Sequence, residues 1–136
     1  MKAIARRVRG FIHEVEVDGH TIVSDEPTEA GGNDEGPSPT RLLTASLAAC
    51  TATTVEMYAD RKGWELGAVE VEAELRSAER GEPARYAVEV RVPAPLSGEQ
   101  AERIKVIAGK CPVHRTLTGE VEIGRASCRE RVFRTV

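Results

Sequence analysis

The sequence predicts an α+β protein with a mostly antiparallel sheet and a long central helix, and three observations carry that prediction. Residues 11–24, 68–76 and 85–92 alternate apolar and polar side chains, the two-residue period of half-buried strands. Between them, residues 39–62 hold no glycine and no proline after Pro39, with side chains recurring at spacings of three and four. A third stretch, 97–108, opens on Ser97 with Gln100 three residues later, the pattern of a capping box ahead of a shorter helix.

In chain order, FIHEVEVDGHTIVS (residues 11–24) reads as two antiparallel strands around Asp18-Gly19, a strong signal for a two-residue hairpin turn. AIARRVR before it reads as an extension of the first strand. DEPTEAGGNDEGPSP (25–39) is rich in glycine, proline and acidic residues without period, so an irregular loop with freedom to move is expected. Pro39 suits the first turn of the long helix, Ser38 its N-cap and Gly63 the position just past its end. Its 24 residues would span about 36 Å, and Leu43, Leu47, Cys50, Thr54, Met57 and Arg61 mark one expected face. The middle, TASLAACTAT, is built of small side chains that let neighbouring backbones approach closely.

AVEVEAELR (68–76) and RYAVEVRV (85–92) read as a second antiparallel pair around SAERGEPA. The 97–108 helix, with Ile104, Ile107 and Ala108 on one face, is expected to stop at Gly109. Pro112 fits the first position of a further short helix and puts Cys111 at its N-cap. GEVEI (119–123) is expected to be a last strand.

The length of 136 residues bounds the chain to one domain. Aromatic residues make up only 4% of it, so the core must come from Val, Leu, Ile and Ala, and a second copy is expected to share the burial. A formal charge of −3 with both signs interspersed argues against nucleic-acid and anionic-membrane partners. No run approaches the ~20 apolar residues of a membrane span, and the basic N-terminus lacks the apolar core of a signal peptide, so a cytoplasmic location is expected. EIGRASCRERV (122–132) resembles the in-frame translation of a sequencing-library adapter. One domain over 1–123 and a non-native tail over 124–136 follow, with Cys128 set aside.

Cys50 and Cys111 remain, too few for a secreted disulfide scaffold. A lone cysteine among small helix residues is ordinarily inert packing. Cys111 is different, because unpaired N–H groups and the positive end of the dipole at a helix N-terminus favour a thiolate. Cys50 lies roughly 16 Å into its helix, beyond that influence, so a nearby cation must activate it. Two uses of the pair compete: a peroxidatic and resolving couple, or zinc ligation together with His114, for which a single C-x-x-H is weak evidence. His13 and His20 flank the hairpin and read as solvated. Ser46 sits mid-helix without a nucleophile elbow, and Gly31-Gly32 lacks the context of a phosphate loop.

GPSPTRLLTASLAACTATTVEMYADRKGW (36–64) together with GKCPVHRTLTGEVEI (109–123) resembles the OsmC family of osmotically inducible and organic-hydroperoxide-resistance proteins, over roughly residues 1–123. The resemblance implies an intertwined α+β homodimer with the Cys-bearing helix near its centre. It also implies thiol-dependent peroxidase activity on organic hydroperoxides, with Cys50 as the peroxidatic and Cys111 as the resolving cysteine. An external dithiol would reduce the disulfide, and no metal, haem or other cofactor is implied. Where the family commonly carries a glutamate nine or ten residues before the first cysteine, this chain has Thr40 and Arg41. The activating arginine is expected among Arg6, Arg7 and Arg9, with Arg41 and Arg115 as further candidates. The alternative is a non-catalytic dimer that binds a small apolar ligand in the same cleft.

Overall fold

A computed structural model describes residues 1–77 and 79–124, so the expected tail past Gly124, Cys128 included, lies outside the described residues. The chain begins as a meander, β1 (Ala3–Arg9), β2 (Ile12–Val17) and β3 (His20–Ser24), paired antiparallel in the order β1-β2-β3. Asp18 and Gly19 take φ of 46° and 89°, the two left-handed residues of a tight turn whose twist matches its strands. AIARRVR is a strand in its own right and not an extension: Gly10, at φ 50°, reverses the chain and sets Arg9 opposite Ile12.

The loop expected after β3 is instead closely held. Asp25, 1% exposed, accepts the amides of Glu26 at 2.8 Å, Asn33 at 2.9 Å and Glu35 at 3.2 Å. Three donors on one carboxylate satisfy the backbone of a segment that has no ladder of its own. The path is tight enough that a Cβ on Gly32 would sit 1.8 Å from the Glu26 carbonyl oxygen.

α1 (Pro39–Lys62) has the expected bounds, opened after extended Ser38 and closed by Gly63 at φ 67°. Ser38 Oγ lies 3.2 Å from the Thr40 hydroxyl and caps no backbone amide. The buried ridge is Leu47, Thr51, Val55 and Ala59, one residue round from the expected face; Leu43 and Met57 are exposed. Leu43 and Met57, two of the larger side chains of α1, thus lie on the face turned away from the core.

β4 (Glu70–Ser77) and β5 (Arg85–Arg91) form a separate two-stranded antiparallel sheet, so the strands make two sheets where one was expected. α1 packs on β4, on α2 (Gly98–Ala108) and on α3 (Pro112–Thr118). The capping box is complete: the Gln100 amide donates to Ser97 Oγ at 3.1 Å, and the Ser97 amide donates to the Gln100 side chain at 2.9 Å. Val55, Ala59, Leu66 and Ile104 make the core where α1 meets α2, with Val90, Val92 and Leu96 packed against it. Each large apolar side chain buried there stabilises by about 1.5–3 kcal/mol. Residues 119–124 form no strand and are exposed, Val121 at 60% and Ile123 at 79%, because no strand among the described residues pairs with them. No helix among the described residues is long and apolar enough to cross a membrane.

Candidate active site

Two elements bring the thiols together. Cys50 sits in the middle of α1, half-buried, and Cys111 caps the N-terminus of α3, fully buried at 0% exposure. Pro112 at the first helical position leaves the amides behind it without carbonyl partners, and the Cys111 sulfur takes that of His114 at 3.2 Å. From the other side, the Thr51 hydroxyl donates to the same sulfur at 3.6 Å. The Cys50 thiol and the Val113 amide also act on it in favour of its charged form.

Burial pushes the Cys111 thiol up, but the His114 amide, the Thr51 hydroxyl, the Cys50 thiol and the Val113 amide together hold it below its ordinary value. A buried sulfur surrounded by donors is a site built for negative charge. None of these four donors is an arginine.

Four of the five arginines of the sequence shortlist make contacts away from Cys50. Arg6 pairs with Glu16 at 3.0 Å, Arg7 donates to the Gly10 carbonyl at 2.9 Å, Arg9 pairs with Glu35, and Arg41 pairs with Asp34 at 3.3 Å. Arg115 lines a shallow hollow with Glu120 and Glu122. The three ion pairs are exposed, and among the described residues none of these five arginines makes a hydrogen bond or ion pair with Cys50. Thr40 and Arg41 line a hollow against Ala73 and Leu75 of β4. His13 Nδ1 lies 2.8 Å from the Phe11 carbonyl oxygen, a local contact beside the hairpin. Among the described residues no three His, Cys, Asp or Glu side chains converge as metal ligands would.

Two mostly apolar cavities meet at His114, next to the buried thiol. One, of about 580 Å³, runs from Thr51 and His114 past Val88, Val90 and Leu96 to Ile104. The other, of about 690 Å³, lies between Leu43, Leu47, Tyr86 and Leu117.

The family of OsmC-like proteins matches over residues 31–124, a span that includes α1, both thiols and α3. The chain belongs to the OsmC-like family. An organic hydroperoxide resistance protein, OsmC, from Legionella pneumophila is similar in structure, with 25% identity, a TM-score of 0.66, and 88% of this chain and 90% of that one covered. An OsmC-like protein from Mycoplasma pneumoniae has a TM-score of 0.68 at 21% identity, covering 87% of this chain and 86% of that one. The organic hydroperoxide resistance protein OhrB of Bacillus subtilis has a TM-score of 0.58 at 22% identity, covering 90% of this chain and 94% of that one. No curated protein sequence matches. The OsmC-like fold, α+β with antiparallel sheets and three helices, is thus shared with these neighbours.

Thr51 is the residue of this OsmC-like site that sequence reasoning missed. It follows Cys50 directly, but in a helix carrying five threonines nothing in the sequence separates it from the others.

Proposed function

We propose that this protein is a thiol-dependent peroxidase that reduces organic hydroperoxides, with Cys50 as the peroxidatic cysteine and Cys111 as the resolving one. One observation carries the reading: a half-buried thiol acts on a fully buried one whose sulfur also accepts the His114 amide and the Thr51 hydroxyl. Access divides the roles. Cys50 meets the peroxide, and Cys111 meets only what forms on Cys50.

Cys111, held toward its thiolate, accepts the Cys50 proton across the contact between the two sulfurs. The Cys50 sulfur attacks the terminal oxygen of the hydroperoxide, the O–O bond breaks, and the alkoxide leaves as the alcohol by taking the proton from Cys111, which returns to its thiolate. Cys50 is now a sulfenic acid. The Cys111 thiolate attacks its sulfur, the S–S bond forms, and the departing hydroxide takes a proton from solvent to leave as water. An external dithiol then returns both thiols by exchange. One hydroperoxide and two thiols give one alcohol, one water and one disulfide.

The apolar cavities beside His114 favour an alkyl substituent over hydrogen peroxide. The hydroperoxide resistance named for the Legionella and Bacillus proteins supports the same substrate class. A homodimer fits the exposed apolar side chains of α1, Leu43 and Met57, together with the unpaired 119–124 segment.

The test is consumption of cumene hydroperoxide with a dithiol as reductant. Wild-type protein turns over, Cys50→Ser does not, and Cys111→Ser leaves a sulfenic acid that dimedone traps. Absence of wild-type turnover leaves a non-catalytic binder of apolar ligands, using the same cavities, as the better reading.

A further inference from the structure

Four threonines of the helices share a habit. Thr44, Thr54, Thr116 and Thr118 each donate the hydroxyl to the carbonyl four residues earlier, on Thr40, Cys50, Pro112 and His114, at 2.7–3.1 Å. Thr51 departs from it. Its hydroxyl, on a residue only 1% exposed, reaches across to the Cys111 sulfur at 3.6 Å. A buried hydroxyl that gives up a strong local acceptor for a weaker sulfur does so because the sulfur needs the donor.

We infer that Thr51 is the positioning residue of the thiol pair, its hydroxyl holding the Cys111 sulfur toward Cys50. The placement follows from covalent order. Thr51 shares its peptide bond with Cys50, so the group that fixes Cys111 moves with the residue that Cys111 must meet. The donors come from two directions: the Cys50 thiol and Thr51 hydroxyl from α1, and the Val113 and His114 amides from α3. No carboxylate, lysine or arginine is among them. The α3 amides hold the sulfur at its own helix end, and the Thr51 hydroxyl ties it to α1.

The inference rests on the proposed role of the pair, and its test needs no peroxide. In protein carrying Cys50→Ser and Cys128→Ser, the Cys111 thiolate is followed by its ultraviolet absorbance as pH is raised. Thr51→Val, close to isosteric but without the donor, is expected to raise the midpoint by roughly one pH unit, and Thr51→Ser to leave it near the parent value. In protein carrying Cys128→Ser alone, an aromatic disulfide reagent first caps Cys50, the more accessible of the two thiols, and Cys111 then displaces the second aromatic thiolate. That second step is expected to slow about tenfold in Thr51→Val and to recover in Thr51→Ser.

An unchanged midpoint and an unchanged second step in Thr51→Val would overturn the inference. So would equal effects of Val and Ser, which would mark a packing role. Should Thr51→Val not fold, Thr51→Ala carries the same comparison. A wild type that consumes no cumene hydroperoxide but keeps the Thr51 effects removes the peroxidase reading and supports the positioning role.

Discussion

The amide of His114 donates to the sulfur of Cys111 at 3.2 Å, so a thiol does the work that serine or aspartate usually does at a helix start. Cys111→Ala leaves that amide without its cap and is expected to cost about 1 kcal/mol of stability, with Cys111→Ser recovering most of it. Denaturant titration of the reduced proteins measures both.

The same thiol has a signed pH dependence. Burial opposes its ionisation, but the surrounding donors prevail and its folded pKa lies below the ordinary thiol value. The stability this adds is fully present above the unfolded pKa and is lost as pH falls through the folded one. Reduced wild type is therefore expected to gain stability relative to Cys111→Ser as pH rises through the range below the ordinary thiol pKa. Thermal midpoints of the two proteins across that range check the sign.

If Cys111 is the group that rescues oxidised Cys50, its removal exposes the first thiol to further oxidation. Excess cumene hydroperoxide is expected to carry Cys50 in Cys111→Ser to the sulfinic and sulfonic acids, while wild type stops at the disulfide. Intact mass spectrometry distinguishes the added oxygens from the lost hydrogens.

The Asp25 loop should be the acid-sensitive part of the molecule. Burial raises the pKa of this carboxyl, yet the Glu35, Asn33 and Glu26 amides and the charge of Arg9 bring it below the usual value. Its contribution to stability is present above the unfolded carboxyl pKa and is lost as pH falls through the lowered folded one. Asp25→Asn turns an NH2 group toward amides that are themselves donors and is expected to lower Tm by several degrees at neutral pH. The difference from wild type should shrink in strong acid.

Ile104→Ala opens the core between α1 and α2, where Ile104 is 5% exposed, and is expected to cost about 2–5 kcal/mol. A loss under about 1 kcal/mol in chemical denaturation would mean that the space closes by repacking.

The bounds of α1 were legible because Pro39 and Gly63 punctuate it, and the N-cap role of Cys111 because Pro112 follows it. The face of α1 was not. Large residues such as Leu43 and Met57 suggested one face, but the close contact with α2 and α3 takes Thr51, Val55 and Ala59, whose small volumes carry little periodic signal. The Asp25 hub was equally hidden, since an aspartate in a glycine-rich acidic run looks like any solvated turn residue. The alternation of GEVEI gave the appearance of a strand, but a strand needs a neighbour, and residues 119–123 have none among the described residues.

The separation of the two sheets has a dynamic consequence. No strand of the β1-β2-β3 meander makes more than slight contact with a helix or with the second sheet, while α1, α2, α3 and β4 interlock. Cooperative opening follows such divisions, so amide hydrogens of the meander are expected to exchange with solvent by a local route of low free energy. Those of the inner turns of α1 need the global one. The framework around the two sulfurs thus stays closed while the N-terminal sheet breathes.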